Sequence, residues 1–395
     1  MLTAALRSLH TPHFDAPPPL TLYVHIPWCV RKCPYCDFNS HESREGIPEA
    51  AYLAALERDL EAALPQVWGR RVRSVFFGGG TPSLLSAAGL DKLLTLLRTL
   101  LPIEPLAEIT LEANPGTFES EKFRAFRAAG INRLSIGIQS FNPKHLQSLG
   151  RIHDDHEARR AIEIALTHFD NVNLDLMYAL PEQTLEQAQA DMDSAIGFGV
   201  QHISAYHLTL EPNTLFHAHP PPLPDDDLAA SMQCAIEAQL ESAAYAHYET
   251  SAFAQQHQAC QHNLNYWRFG DYLGIGAGAH SKLTTPQGVL RQMRYKQPKT
   301  YMEQAHVDHA IQQEQLVPAN ELGFEFMMNA LRLNAGFPPA LFQAHAGLPL
   351  QVIEQQLQAA EARGLIQRDL TRIQPTLRGQ RFLNDLLQLF LPETS

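Results

Sequence analysis

Short apolar runs alternate with longer amphipathic stretches through the first half of this 395-residue chain. The short runs are rich in β-branched and aromatic residues, whereas the longer stretches repeat apolar residues at spacings of three and four, which is typical of helices packed on one face. This alternation predicts six βα units in succession, and therefore a parallel sheet with right-handed crossovers. The predicted strands are LTLYVHI (20–26), RSVFFGG (73–79), EITLEAN (108–114), RLSIGIQ (133–139), VNLDLMY (172–178) and HISAYHL (202–208).

Periodicity alone leaves two architectures open for these units, an open doubly wound sheet and a closed or partial barrel. In both, the loops that follow the strands meet at the carboxyl edge of the sheet, where α/β proteins bind their ligands. We therefore expect a functional site at that edge. The predicted helices cover residues 48–64, 86–101, 119–130 and 184–199.

The pattern changes after the sixth strand. The proline-rich segment HAHPPPLPDDD (217–227) excludes a helix and predicts a connection to a helix that begins near Asp226. After about residue 300 helical patterns dominate, as in 321–336 and 350–364, and the tail predicts a hairpin followed by a helix. We divide the chain into an N-terminal segment (1–19), an α/β body (20–215), an extension of that body (216–300) and a mainly helical C-terminal domain (301–395), for which a winged helix is one candidate.

Composition narrows the class of protein. Hydrophobic residues make up 45% of the chain and charged residues 18%, as in ordinary globular proteins. The net charge of −12 disfavours binding to nucleic acid or anionic membranes through bulk charge. No stretch approaches the roughly 20 apolar residues that cross a bilayer, and Arg7, His10 and Pro12 interrupt the pattern of a signal peptide. The five cysteines do not resemble a disulfide framework, so we expect a cytoplasmic protein.

Three of the cysteines form the most informative motif. Cys29, Cys33 and Cys36, here called the cysteine loop, follow directly on the first predicted strand with the spacing C-x3-C-x2-C. Three thiolates can hold a four-iron cluster at three corners and leave the fourth iron open for a substrate, whereas electron-carrying clusters generally have four protein ligands. The loop therefore predicts a catalytic type of iron–sulfur centre.

Zinc is the alternative metal for the cysteine loop. His25, Asp37 or His41 would complete a tetrahedron with the three thiolates. Structural zinc loops favour C-x2-C pairs repeated at a distance, and this chain has no second pair. The spacing thus favours the cluster.

Polar and glycine residues lie at the ends of the other predicted strands. Each one alone is compatible with a helix cap, a tight turn or a sheet-edge group, but together with the cysteine loop they would surround one pocket. Glycine also lets backbone groups approach a ligand that a Cβ would hold off. These residues are Gly79, Gly80 and Thr81 in FFGGGTPSLL, Glu112 in TLEANPGT, Gln139 in LSIGIQSF and Asp175 in NLDLMY.

The cysteine loop, the GGGTPS turn, EANPGT, RLSIGIQSF and the LPEQT segment after Asp175 resemble the radical S-adenosylmethionine superfamily over nearly the whole chain. Within it, they are similar to the oxygen-independent coproporphyrinogen III dehydrogenase group. The resemblance implies a partial (β/α)6 barrel, a 4Fe-4S cluster and S-adenosylmethionine bound to the open iron. It also implies that one electron from the cluster cleaves that cofactor to a 5′-deoxyadenosyl radical.

The resemblance also implies a role for each residue by its position. The three cysteines would ligate iron. The residues that would contact the aromatic and methionyl parts of S-adenosylmethionine are Tyr23, Tyr35, Gly79, Gly80, Thr81 and Glu112. Gln139 and Asp175 suit its ribose hydroxyls, and Arg151 suits its carboxylate, which a guanidinium can bind bidentately.

One departure from the dehydrogenase group concerns its chemistry. That group has a further cysteine two residues after the third ligand, and its thiol is implicated in the decarboxylation, whereas this chain has Phe38 there. The chain also lacks that group's N-terminal extension. Both departures, together with HLTLEPNT (207–214), HYETSAFA (247–254) and HNLNYW (262–267), resemble the sister group of heme chaperones.

The HNLNYW segment contains the candidate heme contact. His262 offers an imidazole to iron, while Tyr266 and Trp267 offer flat apolar surfaces. The resemblance implies a protein that binds heme, passes it to acceptors such as membrane respiratory enzymes and receives electrons from a cellular donor. A homodimer and radical catalysis stay open. The alternatives are conversion of coproporphyrinogen III to protoporphyrinogen IX, and a zinc-stabilised interaction protein.

Overall fold

The computed structural model of the protein describes residues 11–43, 46–117 and 120–392. Residues 1–10 of the predicted N-terminal segment lie outside the described residues. The strands are β1 (Leu20–Ile26), β2 (Trp28–Cys29), β3 (His41–Glu42), β4 (Val72–Gly79), β5 (Ile103–Ala113), β6 (Arg133–Gln139), β7 (Val172–Tyr178), β8 (His202–His207), β9 (Ala246–Glu249), β10 (Ala252–Ala254), β11 (Asp271–Ile275), β12 (His280–Thr285), β13 (Gly288–Arg294), β14 (Ile311–Leu316), β15 (Ile366–Arg368) and β16 (Ile373–Pro375).

Helices follow most of the strands of the α/β body and dominate the C-terminal region. They are α1 (Glu49–Val67), α2 (Ala87–Leu100), α3 (Ser120–Ala129), α4 (Pro143–Ser148), α5 (Asp155–His168), α6 (Leu185–Gly197), α7 (Leu215–Ala218), α8 (Asp226–Ser242), α9 (Gln261–Trp267), α10 (Pro298–Ala305), α11 (Leu322–Ala330), α12 (Pro339–Ala346), α13 (Glu354–Ala362), α14 (Leu377–Arg381) and α15 (Leu383–Gln388).

One twelve-stranded sheet organises the α/β body, in the order β14-β13-β12-β11-β1-β4-β5-β6-β7-β8-β10-β9. The seven strands from β11 to β8 in this order are parallel, and the flanking strands are antiparallel. Among the described residues, β14 and β9 are edges that do not pair with each other, so hydrogen bonds do not close the sheet into a barrel. The six predicted strands correspond to β1, β4, β5, β6, β7 and β8, which are neighbours in the sheet.

The parallel strands are covered on both faces, which explains their nearly continuous apolar sequences. β1 and β7 each bury six of their seven residues. The one half-buried residue of each strand is a predicted site residue, Tyr23 in β1 and Asp175 in β7. These two side chains are therefore the partly exposed ones on strands that are otherwise buried.

A second hydrophobic core lies in the C-terminal region. Phe326, Phe337 and Phe342 pack edge to face at centroid distances of 5.0–5.2 Å within it. Two residues from the preceding part of the chain, Phe269 and Val289, belong to the same core. The predicted hairpin is present as β15 and β16, followed by two short helices. None of the helices in the described ranges is both long and apolar enough to span a membrane.

Candidate functional site

A two-residue ladder closes the cysteine loop at its base. β2 pairs in parallel with β3, and the Ser43 N–H donates to the Cys29 carbonyl at 2.9 Å. Within the loop, the Cys36 N–H donates to the Cys33 carbonyl at 3.2 Å. The chain therefore leaves β1, projects all three half-buried thiols from one closed loop at the carboxyl edge of the sheet, and returns toward α1.

Each of the three thiols has a different polar neighbour. The hydroxyl of Thr81 donates to Cys29 Sγ at 3.6 Å, and the guanidinium of Arg151 donates to Cys33 Sγ at 3.6 Å. Cys36 Sγ lies 3.8 Å from the hydroxyl of Ser40. Donors beside sulfur favour the thiolate, which is the form that ligates metal.

Burial acts in the opposite direction on two of the thiols, because it raises the pKa of Cys29 and of Cys36. No three His, Cys, Asp or Glu side chains in the described part of the chain are grouped as ligands of a single metal ion. The three half-buried thiols share one loop, and their role as ligands of a four-iron cluster stays a prediction.

His25, a zinc-ligand candidate, has a different role in the structure. Its Nε2 lies 2.9 Å from the Asn39 carbonyl and must therefore carry the proton, so Nδ1 accepts from the Tyr23 hydroxyl at 3.0 Å. Burial lowers the pKa of His25 to about 4, which keeps the ring neutral. Both ring nitrogens are thus engaged, and the bond from Nε2 to Asn39 links β1 to the segment that follows Cys36, a role that the sequence analysis missed although His25 lies two residues after Tyr23.

The glycines after β4 are required by close packing in the protein itself. Gly79 has a φ of +115°, and a Cβ there would lie 2.5 Å from the His25 ring. A Cβ on Gly80 would overlap the Trp28 carbonyl. The N–H groups of Gly80 and Thr81 donate to the carbonyls of Ile26 and Trp28. The backbone groups of Gly80 and Thr81 that would accept a ligand's ammonium group are therefore their own carbonyl oxygens.

Two carboxyl groups with raised pKa values lie near the end of β5 and in the middle of β7. Burial first, and the nearby Asp175 second, raise the pKa of Glu112 to about 8, while the Gly79 N–H donates to it at 3.1 Å. Burial also raises the pKa of Asp175, which accepts hydrogen bonds from Ser135 and Asn173 at 2.9 and 2.8 Å. A cationic ligand group beside Glu112 would favour its ionised form.

Arg151 is half-buried among site residues. Its Nη2 donates to Asn114 Oδ1 and to the Gly137 carbonyl, both at 2.6 Å. Asn114 in turn donates to the Thr81 hydroxyl at 2.8 Å. Asn114 therefore connects Arg151 with Thr81, a role that the EANPGT motif contained but that the sequence analysis did not assign.

The remaining cofactor candidates lie around this group. Tyr35 packs against Phe216, with 6.4 Å between ring centroids, in a small apolar cluster. Gln139 ends β6 with a φ of +69°, at a register irregularity with β7. The structure therefore places both near the carboxyl edge, and their contacts to adenine and ribose stay predictions.

A cavity of about 580 Å³ opens beside the cysteine loop. Five predicted site residues line it: Tyr23, Cys36, Gly79, Glu112 and Tyr266. Cys33, Thr81 and Arg151 instead line a much smaller cavity next to the loop. The volume lies within the range of roughly 300–1,000 Å³ that is usual for small-molecule sites.

The structure brings together two of the three HNLNYW candidates, since the rings of His262 and Tyr266 are 5.0 Å apart, whereas Trp267 lies elsewhere. His262 on α9 is 2% exposed, stacks on Phe76 at 5.0 Å and bonds Ser74 Oγ through Nδ1 at 2.9 Å. Burial lowers its pKa to about 3. Tyr266 faces the cavity, whereas Trp267 lies under the Arg332 guanidinium at 4.3 Å. A heme ligated by His262 would have to reach a ring that is enclosed by protein.

Comparison with known proteins agrees with this architecture. Residues 23–195 match the Radical SAM superfamily, and residues 317–382 match the HemN C-terminal domain. The solved structure of coproporphyrinogen III oxidase (HemN) from Escherichia coli has a TM-score of 0.81, with 98% of this chain and 93% of that chain covered. At 24% sequence identity this likeness concerns the fold, and it confirms the predicted α/β class with a helical C-terminal region.

Sequence comparison defines the family more narrowly. The chain is 47% identical over 378 residues to the heme chaperone HemW of Escherichia coli (strain K12), covering 95% of this chain and 99% of that protein. It is also 47% identical over 382 residues to the heme chaperone HemW of Haemophilus influenzae, with the same coverage. The chain therefore belongs to the HemW heme chaperone family, within the Radical SAM superfamily.

Proposed function

We propose that this protein is a heme chaperone that binds heme and transfers it to acceptor hemoproteins, among them membrane respiratory enzymes. Near-full-length similarity to proteins named heme chaperone HemW carries this proposal. Phe38 supports it, because a phenyl ring beside the third cysteine cannot replace the thiol that the dehydrogenase group has at this position. The proposed setting is the cytoplasm, with a cellular electron donor.

Membership of the Radical SAM superfamily implies a 4Fe-4S cluster and S-adenosylmethionine. The cysteine loop would hold the cluster, with Thr81, Arg151 and Ser40 as polar neighbours of the thiols. Tyr23, Gly79 and Glu112 would hold S-adenosylmethionine in the cavity. When bound, the pair supplies one-electron chemistry, and whether this chain uses that chemistry is a question for the assay below.

Within this proposal, Glu112 would orient the cofactor by charge. A protonated carboxyl of pKa about 8 can give up its proton when an ammonium group arrives, because the cation offsets the burial that disfavoured the carboxylate. Arg151 would hold a carboxylate, and its contacts with Asn114 and Gly137 fix the guanidinium for that purpose.

The deciding experiment uses anaerobically reconstituted full-length protein. We expect visible iron–sulfur absorption, binding of added hemin and, with reductant and S-adenosylmethionine, no conversion of coproporphyrinogen III. Formation of protoporphyrinogen IX would instead assign the protein to the dehydrogenase group. Failure to bind hemin would also refute the chaperone proposal, and a colourless zinc-containing protein would favour the interaction protein.

A further inference from the structure

The cavity beside the cysteine loop has a second wall that the cofactor roles do not use. We call it the outer wall and define it by Lys32, Phe38, Tyr272, His280 and Lys296, all of which line the cavity. It is built from two separate parts of the chain, the segment around the cysteine loop and the stretch that runs from β11 to just beyond β13. Asn39 joins these parts, since its amide donates to the carbonyls of Ala277 and Lys296, both at 2.9 Å.

Aromatic side chains give the cavity flat apolar surfaces. Phe38 is 58% exposed although its side chain is wholly apolar, and it lines a concave site rather than a convex surface. Tyr266 and Tyr272 also line the cavity, with ring centroids 4.3 Å apart. An exposed apolar side chain inside a cavity is typical of a ligand contact. The ligand that such surfaces favour is a flat, largely apolar one.

Cationic side chains lie at the edge of the same wall. Lys32 and Lys296 both line the cavity, and Lys32 is held there by hydrogen bonds to the carbonyls of Phe38 and Ser40 at 3.2 and 3.4 Å. Asp37 is the acidic lining residue on this side. The two ammonium groups would attract carboxylates, so the outer wall suits an apolar molecule that carries acidic substituents.

His280 offers an accessible imidazole in this wall. It begins β12, where pairing with Met293 of β13 fixes its backbone, and its side chain is exposed. Burial of part of the ring and the neighbouring Lys296 and Arg291 lower the pKa of His280, so the ring is neutral at pH 7 and can ligate a metal. His262 lacks this accessibility.

We propose that heme binds against the outer wall of the cavity, with His280 as an axial ligand and with Lys32 and Lys296 facing its propionates. This assignment rests on the proposed heme chaperone function and locates its cargo site. It moves the iron contact from the enclosed ring of His262 to an imidazole that lines the cavity. Tyr266 then belongs to the heme site through its cavity face, while Trp267 does not.

Hemin titration of the reconstituted full-length protein tests this assignment. In His280→Ala we expect a changed Soret spectrum and a changed axial-ligand signature in electron paramagnetic resonance. The Kd for hemin should rise by at least about tenfold, which is the scale on which metal sites respond to loss of a supporting group. Lys296→Gln should raise that Kd about twofold to fivefold, as for a partly screened charge pair. Iron-free protoporphyrin IX should bind wild type and His280→Ala equally, because it has no iron to ligate.

Two matched controls accompany these variants. His156→Ala removes an exposed histidine and Lys299→Gln an exposed lysine, and neither residue lines the cavity. Both should leave the hemin spectrum and Kd unchanged. Circular dichroism and iron content must show that the variants are folded and loaded.

The outcomes separate the two proposals. An unchanged spectrum and Kd in His280→Ala, or a loss of the axial-ligand signature in His262→Ala alone, would overturn the assignment while leaving the chaperone function intact. Wild-type protein that binds no hemin would instead refute the chaperone function itself.

Discussion

The three thiols of the cysteine loop differ in their neighbours but not in their predicted role. Removal of any one thiol leaves two ligands, too few for a stable site-differentiated cluster. We therefore expect Cys29→Ala, Cys33→Ala and Cys36→Ala each to lose most of the bound iron and sulfide after anaerobic reconstitution, as measured by chemical analysis and visible absorption. Cys234→Ala is the control, because this exposed cysteine lies outside the loop and should keep full iron content. Equal iron loss in that control would refute the assignment.

Glu112 gives a prediction about pH at the same scale. Its folded pKa of about 8 exceeds the unfolded value of roughly 4.3, so between these values the folded state keeps a proton that the unfolded state has lost. The unfolded chain therefore gains more than the folded apoprotein from ionisation of Glu112, and the folded state becomes less stable as pH rises through this window. The glutamine of Glu112→Gln cannot ionise. The free energy of unfolding of this variant, relative to that of wild type, should therefore rise from pH 5 to 8 and stay constant above pH 8.

Urea unfolding of both proteins at several pH values measures this difference. Glutamine keeps an oxygen that can accept the Gly79 N–H, so the comparison isolates the charge. A stability difference that is independent of pH would show that Glu112 does not titrate in this range.

At the scale of elements, a carboxylate from the sheet caps α9. Glu108 of β5 accepts the N–H groups of Gln261 and His262 at 3.0 and 3.1 Å, which satisfies two donors at the start of that helix. We expect Glu108→Ala to lower the free energy of unfolding by about 1–2 kcal/mol, the usual cost of a lost N-cap. It should also speed hydrogen exchange in α9.

Glu104→Ala is the matched control on the same strand. Glu104 forms a surface ion pair with Arg73 at 3.7 Å, so its loss should cost under about 1 kcal/mol. Hydrogen exchange in α9 should not change in this control. If both variants change the free energy of unfolding and the hydrogen exchange of α9 equally, the Glu108 cap does not stabilise α9.

Elements of the parallel sheet were predictable because their sequences are apolar on both faces. β1, β6 and β7 have the predicted bounds, and β4, β5 and β8 differ at their ends. The sequence analysis did not predict β14, whose sequence IQQEQL is exposed at five of six positions and thus lacks the alternation of a half-buried strand.

The site was less predictable than the fold, because the sequence analysis recognised residue types but not their partners. It matched Arg151 to a cofactor carboxylate but did not identify Asn114 and Gly137, which accept hydrogen bonds from its guanidinium. It assigned Gly79 to ligand approach, whereas packing against His25 already requires a glycine there. Such contacts join residues far apart in the chain, so periodicity and spacing do not encode them.

For the whole molecule, the C-terminal hydrophobic core includes residues from the other side of the predicted domain boundary. Phe269 and Val289 pack in the C-terminal core, and the His13 N–H donates to the Gly347 carbonyl at 2.8 Å. A chain that ends at Leu316 would expose apolar surface on both residues. We expect it to aggregate or to melt at a clearly lower temperature than the full chain.

Size-exclusion chromatography and thermal unfolding measure this effect. A chain that ends at Pro392 is the control and should match the full-length protein. Wild-type stability in the chain ending at Leu316 would show that the α/β body folds independently of the C-terminal core.

The cavity shared by the two proposed ligand positions has a thermodynamic consequence. Tyr23, Gly79 and Glu112 line the part proposed for S-adenosylmethionine, and His280 and Lys296 line the part proposed for heme. Ligands that share a cavity influence each other's affinity, and linkage requires that the factor be the same in both directions. If S-adenosylmethionine raises or lowers the affinity for heme, heme must change the affinity for S-adenosylmethionine equally. Cofactor concentration would then set whether cargo is retained or released.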